Sequence, residues 1–383
     1  MAIPQAAPVE RIANLPPAVE VPHQPEGTVG TVDVEFQNEV KASPPPLQRT
    51  AVLTSDDPSE PAPALFPEMG ECAACGDKQV RTLFHSTDRL YHTTDREFAV
   101  VECVGCRLIR LHPVPDPAEL RYYYPNLYWF KPSDSFAAHL EEGYRRFVLG
   151  DHVRFVLRAL RECEEEGVVL DVGCGGGLFL RLLAERGYPI VGLDFSLDAA
   201  GMAWKQNGVP AVCASLSKAP FPPGSCAAVT MFHVLEHLYD PVGYIEAAHK
   251  LLRPDGRLIL QVPNASSWQF LLFGKNWNGV DVPRHLINFK QKDLDALLDA
   301  CGFEVLRHKH FSLRDNPAGF ATSLAPTLDP MARRVREVPE TGGVRLMKNL
   351  AYFGLLLAGI PFSIVEATCR AGSTIMIEAR KKS

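Results

Sequence analysis

The chain has 383 residues, 46% of them hydrophobic, and a formal net charge of −6. That length accommodates one large α/β domain plus something smaller, with enough apolar content for a substantial core. The negative balance argues against a broad phosphate-binding surface, and so against nucleic acid as a partner.

Taken in chain order, residues 1–66 hold many of the 32 prolines alongside Ala, Glu, Gln and Val, with few aromatics. No apolar period is sustained there, and a disordered tail is expected. No Lys/Arg cluster followed by an apolar run opens the chain. No secretory signal is therefore expected, and the 10 cysteines are placed in a reducing, cytoplasmic setting where metal or free thiol is favoured over disulfide. Residues 67–130 form a small module. Cys72-x2-Cys75 and Cys103-x2-Cys106 are paired knuckles separated by 27 residues. Four thiolates at such spacing suit tetrahedral zinc with no open coordination position, so a structural metal is expected to carry much of the module's folding energy. Gly76 and Gly105 are expected to supply turn flexibility.

The remainder, 131–383, begins with a helical lead-in over 133–166. Phe136, Leu140, Tyr144, Phe147, Val148 and Phe155 recur at mostly helical spacing, in one helix or in two broken near Gly150. From Val168, apolar strands alternate with amphipathic helices. Strands are predicted at Val168–Val172, Pro189–Leu193, Val209–Cys213, Ala227–Phe232, Arg257–Val262 and Phe303–Phe311. Helices are predicted at Gly177–Arg186, Leu197–Asn207, Pro241–Leu252 and Leu294–Cys301, and a last strand at Ser373–Ala379. This alternation predicts an α/β fold, a mainly parallel sheet with helices on both faces. An apolar helical insertion interrupts it at about 320–370. Within it, Leu350 to Val365 has no charged residue, but it is shorter than a spanning helix and contains Pro361. A buried or capping helix is favoured there over peripheral membrane contact.

Val168 to Gly177 is the most informative run: an apolar strand feeds a glycine-rich turn and then a helix. Missing β-carbons let the backbone approach a ligand, and the helix start offers unpaired N–H groups. Asp194 ends the next strand, 21 residues after Gly173, where a carboxylate can accept from both hydroxyls of a ribose. On these features alone an NAD-binding dehydrogenase also fits.

Four segments in order narrow the choice. Asp171-Val172-Gly173-Cys174-Gly175-Gly176-Gly177 resembles motif I of the class I S-adenosylmethionine-dependent methyltransferases. His233-Val234-Leu235-Glu236-His237-Leu238 resembles a segment after their fourth strand, and Leu252 to Leu258 the turn before their fifth. Trp277 to Leu286 is similar to a segment of a bacterial subgroup acting on small molecules, sugars among them. The second knuckle, Pro113-Val114-Pro115, Tyr122-Tyr123-Tyr124-Pro125 and Tyr128 resemble the front module of that subgroup.

The resemblance implies a Rossmann-like seven-stranded sheet whose last strand runs antiparallel between its neighbours. It also implies S-adenosylmethionine as cofactor and a small-molecule acceptor. Asp171 with Gly173, Gly175 and Gly177 would hold the methionine end and Asp194 the ribose. Phe195 and Ser215 would lie near adenine, with Phe232 and His233 on the sulfonium side. Tyr123, Tyr124 and Tyr128 are candidates for facing the acceptor. Two departures stand out: no acid occurs near Ala214–Ser215, and Cys226-Ala227 replaces the family's Phe-Asp.

Methyl transfer to oxygen, nitrogen or an enolate carbon is a displacement that often needs a base, and histidine suits that task near neutral pH. His285 is the expected base, with His237 as polariser or second base. His233 stands one turn before His237 if the segment is helical, on the same face. Glu236 could orient a histidine. The rival readings are an RNA methyltransferase gripping RNA through a zinc ribbon, and a non-catalytic scaffold. The first is opposed by the absence of a basic–aromatic strip and of an Asn/Asp-Pro-Pro-aromatic sequence.

Overall fold

Apolar strands separated by turn residues pair into two sheets in the computed structural model, which describes residues 72–125, 136–163 and 167–382, with backbone alone at 136–140. The expected tail over 1–66, Tyr128, and parts of the 67–130 and 133–166 segments lie outside the described residues.

The front part holds β1 (Val80–Ser86), β2 (Phe98–Cys103), β3 (Ile109–His112) and α1 (Pro117–Tyr122). Asp116 caps α1 by accepting from the N–H groups of Ala118 and Glu119, with Pro117 where no N–H is needed. α2 (Phe136–Arg161) then runs unbroken through Gly150. One glycine costs a helix about 1 kcal/mol, which the buried face of Val148, Val153, Val156 and Leu160 outweighs. Next come β4 (Val168–Val172), α3 (Leu178–Ala184), β5 (Ile190–Asp194), α4 (Leu197–Asn207), β6 (Ala211–Cys213), β7 (Cys226–Phe232), α5 (Pro241–Leu251) and β8 (Leu252–Pro263). The chain ends with α6 (Trp268–Phe273), β9 (Ile287–Asn288), α7 (Gln291–Ala300), β10 (Phe303–Lys309), α8 (Asn316–Leu324), α9 (Pro330–Val335), α10 (Gly342–Thr368) and β11 (Thr374–Lys381).

The larger sheet has seven strands in the order β10-β11-β8-β7-β4-β5-β6. Its β4 to β8 strands pair in parallel, and β11 runs antiparallel to both β10 and β8. Alternate residues serve the two faces. Leu170 and Val229 join a core with Ile245 of α5 and Leu294 of α7, while Val169 and Ala228 join one with α2 and α3. Burial on both faces explains the continuous apolar runs of the central strands. β8 begins before the expected Arg257. Leu252 pairs with Cys226, the Pro254-Asp255-Gly256 turn bulges out with Asp255 at positive φ, and pairing resumes at Arg257 opposite Ala228.

The smaller sheet is antiparallel, in the order β1-β2-β3-β9. Its last strand comes from residues 287–288, so the front sheet is completed by chain far beyond residue 130. Phe98, Val100, Ile109 and Leu111 share one core with Val280, Val282 and Leu286.

Arg284 locks this joint. Its side chain is fully buried. The guanidinium donates to both Asp88 oxygens at 2.8 and 2.9 Å, to both Asp281 oxygens at 2.7 and 3.0 Å, and to the Tyr123 carbonyl at 2.9 Å. It also lies over the Tyr91 ring.

One expectation is overturned. The apolar stretch 350–365 is not a buried helix: it belongs to the 27-residue α10, and only 22% of that helix's most apolar window is buried. The reason is that Leu356, Gly359, Ser363 and Glu366 face the protein, while Leu350 and Leu357 point outward.

Burial opposes ionisation of Asp88, but the Arg284 guanidinium and Thr93 outweigh it and hold its carboxyl at about 2. A depressed folded-state value means the contribution is present above the ordinary 3.8 and is lost as pH falls through about 2. In urea titrations at neutral pH, Arg284→Met is expected to lose ~3–5 kcal/mol of stability, because two buried carboxylates are left unpaired. The deficit of Asp88→Asn should shrink as pH is lowered from 3.8 toward 2; a deficit unchanged across that window would count against the pairing.

Candidate active site

The loops at the C-terminal ends of β4, β5 and β7 carry most of the residues marked in the sequence. Gly173, Gly175 and Gly177 take φ of +73°, +52° and +77°. A β-carbon on Gly173 would fall 2.6 Å from Val234 Cγ2, so this loop sits tight against the segment after β7. Asp194 is buried at the end of β5. Its Oδ2 accepts the Gly175 N–H and its Oδ1 the Ser196 N–H, each at 2.9 Å. Each oxygen keeps a lone pair for a ligand hydroxyl. Asp171, on β4, accepts from the Thr230 hydroxyl at 2.5 Å, and burial pushes its carboxyl up to about 7.

Phe195 is exposed and meets Tyr124 edge-on at 6.3 Å between centroids. Ser215 is half-buried just beyond β6. The Phe232 ring packs between Phe179 at 5.0 Å and His152 at 5.1 Å.

His233 and His237 do not share a helical face. His233 has φ +56°, and Leu235–His237 is a single 3-10 turn, so the two rings find different partners. His233 Nδ1 lies 3.1 Å from Glu236 Oε1, and Nε2 lies 3.5 Å from Asp315 Oδ1. Burial favours the neutral ring, but Asp315 and Glu236 outweigh it and raise His233 to about 9. At neutral pH it is an imidazolium, a donor and not a base. Gln261 Nε2 and the Ser312 hydroxyl both donate to Asp315 at 2.6 Å.

His237 Nδ1 lies 3.0 Å from the Arg284 carbonyl and 3.0 Å from Tyr124 Oη. A carbonyl only accepts, so Nδ1 carries the proton and Nε2 has the lone pair. Burial, then repulsion from His285, pushes His237 down to about 4. His285, also buried, donates Nδ1–H to the Gly279 carbonyl at 2.8 Å. The His237 and His285 rings meet edge to face with centroids 4.6 Å apart. One polar atom from each of Glu236, His237 and His285 lies within 4.8 Å of the others. Glu236 Oε2 is buried with no hydrogen-bond partner among the described residues.

Tyr124 joins these parts, reaching from the front module to Phe195 after β5 and to His237 after β7. Tyr123 turns away, its hydroxyl donating to Glu119 at 2.6 Å and its ring packing on Phe98. The sequence reading did not mark Asp315, Gln261, Asp88 or His152. Asp315 and Asp88 stand in loops without periodicity. His152 is fully buried, 3.7 Å from Asp315 Oδ2; its only sequence signal is a polar residue inside the apolar stripe of α2.

The cysteines fit a tetrahedral ion. Sulfur distances are 3.6 Å for Cys72–Cys106 and 3.5 Å for Cys75–Cys103, and all four sulfurs lie within 4.8 Å of one another. Zinc–sulfur bonds of about 2.3 Å space tetrahedral sulfurs ~3.8 Å apart; a disulfide needs about 2.05 Å. Gly76 takes φ +73° as expected, but in the second knuckle the left-handed residue is Arg107 at +69°. Gly105 packs close to Asp77: a β-carbon there would fall 2.8 Å from Asp77 Oδ2, the end of a side chain that can turn aside.

Residues 140–308 match the family described as "Methyltransferase domain". A "Ubiquinone biosynthesis O-methyltransferase" of Pectobacterium carotovorum subsp. carotovorum is 31% identical over 171 residues, 42% of this chain and 72% of that protein. A protein of the same name from Pseudomonas paraeruginosa is 31% identical over 149 residues, covering 36% of this chain and 64% of its own length. The chain thus spans slightly under two thirds of that relative. Among solved structures, a SAM dependent methyltransferase from Archaeoglobus fulgidus aligns at 18% identity and TM-score 0.41, covering 64% of this chain and 100% of the other.

Side-chain NMR of the histidine nitrogens tests the electrostatics. His233 is expected to stay protonated until about pH 9, and His237 to stay neutral down to about pH 4. Titration of His233 at the ordinary 6.5 would remove the double-carboxylate clamp.

Proposed function

Because the chain belongs to the class I S-adenosylmethionine-dependent methyltransferases, we propose that it methylates a hydroxyl of a small molecule. The observation that carries the acceptor half of this reading is the meeting of two oriented imidazoles at a buried, unsatisfied carboxylate. The choice of oxygen as the methylated atom is supported by the names of the relatives, O-methyltransferases of ubiquinone biosynthesis. Sugar, quinone, polyketide and lipid intermediates with a free hydroxyl make up the acceptor class.

When bound, S-adenosylmethionine supplies an electrophilic methyl group on a sulfonium centre. Asp171 and the turn at Gly173, Gly175 and Gly177 hold its methionine end in this reading. Asp194 offers its remaining lone pairs to the ribose hydroxyls, and Phe195 and Ser215 border the adenine. His285 takes the acceptor's proton at Nε2, its tautomer fixed by the Nδ1–H donated to Gly279. His237 presents a second basic Nε2, fixed in the same way by the Arg284 carbonyl. Glu236 Oε2 receives a donor from the acceptor, and His233, held as a cation, anchors Glu236. The 67–130 module closes the acceptor side through Tyr124. Its Cys72, Cys75, Cys103 and Cys106 hold a structural zinc ion with no open position, in keeping with a reducing, cytoplasmic compartment.

Calorimetric titration with S-adenosylmethionine should show binding to the wild type, lost in Asp194→Ala. His285→Ala should retain that binding while turnover falls at least about a hundredfold; full turnover on a hydroxyl acceptor would remove His285 from the base role. Elemental analysis should find zinc in the wild type and none in Cys75→Ser, with residues 70–110 losing protection from proteolysis. Retained zinc in that variant would overturn the four-cysteine assignment.

A further inference from the structure

α10 is built inside out for a helix in water. Its polar groups face the protein: Glu366 is fully buried and accepts from Gln269 Nε2 at 2.8 Å, Ser363 is fully buried, and the Tyr352 hydroxyl meets Thr322 at 2.9 Å. Its outward side carries Met347, Leu350, Phe353, Leu357, Ile364 and Val365, each between 48% and 70% exposed. At 27 residues the helix is roughly 40 Å long. α6 extends the same apolar surface, with Leu271 77% and Leu272 62% exposed and Trp268 touching Phe362. A patch over two helices exceeds the scattered apolar exposure normal for a soluble surface.

The charges bear on what covers it. No charged residue occurs from Asn349 to Val365, yet cations bracket that stretch: Arg336, Arg345 and Lys348 before it and Arg370 after it. Residues 330–370 carry a net charge of +3 in a chain whose total is −6. Two of the three acids in that segment, Glu340 and Glu366, have buried side chains. An apolar stripe, a tryptophan at its margin and cations at its ends match the interface of an anionic bilayer. Spanning is not the fit, because the polar face of α10 is engaged by α6 and α8 along the body of the protein.

We propose that the outer face of α10, continued by α6, rests on the surface of an anionic lipid bilayer. The helix lies in the plane of the membrane, with Leu350, Phe353 and Leu357 in the acyl boundary and its flanking arginines at the headgroups. This surface is independent of the methyl-transfer reading.

Vesicle flotation of the full chain, without cofactor or acceptor, tests it. The wild type is expected to float with phosphatidylcholine/phosphatidylglycerol vesicles, less with phosphatidylcholine alone, and less again as salt rises. The surface variant Leu350→Glu/Leu357→Glu should bind about tenfold or more weakly while keeping its circular-dichroism melting curve. Arg336→Glu/Arg345→Glu should lose the preference for anionic vesicles and keep the weaker binding. A wild type that stays at the bottom of the gradient overturns the proposal, as does equal flotation of the leucine variant. So does a wild-type dimer in light scattering that Leu350→Glu/Leu357→Glu splits into monomers, since the occupant would then be a second copy of the chain.

Discussion

A single guanidinium with no exposure to water organises the middle of this protein. Arg284 uses all five of its N–H donors on Asp88, Asp281 and the Tyr123 carbonyl. Removing so many charges from water is costly, and a buried pair of this kind contributes more to selecting one arrangement than to net stability. The arrangement selected is the docking of the front sheet on the segment 277–289. The carbonyl of the same residue accepts from His237, so side chain and main chain of one arginine hold the module and set the tautomer of a candidate base.

Two histidines four positions apart are pushed in opposite directions. His233 faces two carboxylates and is held as a cation; His237 faces a carbonyl, a phenol and another imidazole and is held neutral. Their difference owes nothing to residue type and everything to the turn at Val234 that separates them, where the positive φ of His233 sends one ring toward β8 and α8 and leaves the other to pair with His285. Divergent environments acting on like groups are a familiar way to divide donor and acceptor roles within one pocket.

Much of the sheet was legible because its strands are buried on both faces: Val168–Val172 and Leu197–Asn207 fall within the predicted limits. What escaped did so for physical reasons. β9 has two residues, too few to show a period, and exists only because β3 offers an edge. Gly150 leaves one helix or two open in the sequence, and tertiary packing decides for one. α10 reads as a buried helix because apolar sequence does not say which side the protein occupies. In the site, glycines and histidines announce themselves by type and spacing, whereas Asp88 and Asp315 act through distance in space, 196 positions from Arg284 in the first case and 54 from Gln261 in the second.

The placement of β9 also defines what can be exchanged between relatives. The front sheet looks like a cassette that begins near Cys72 and ends before α2, but its fourth strand and the partner of its Asp88 lie beyond residue 280. The unit that recombination or chimera building would have to move is therefore discontinuous: residues 72–125 together with roughly 281–288. A graft of the first piece alone would leave β3 with an open edge and Asp88 without its guanidinium, so the front sheet travels as two linked segments of one chain.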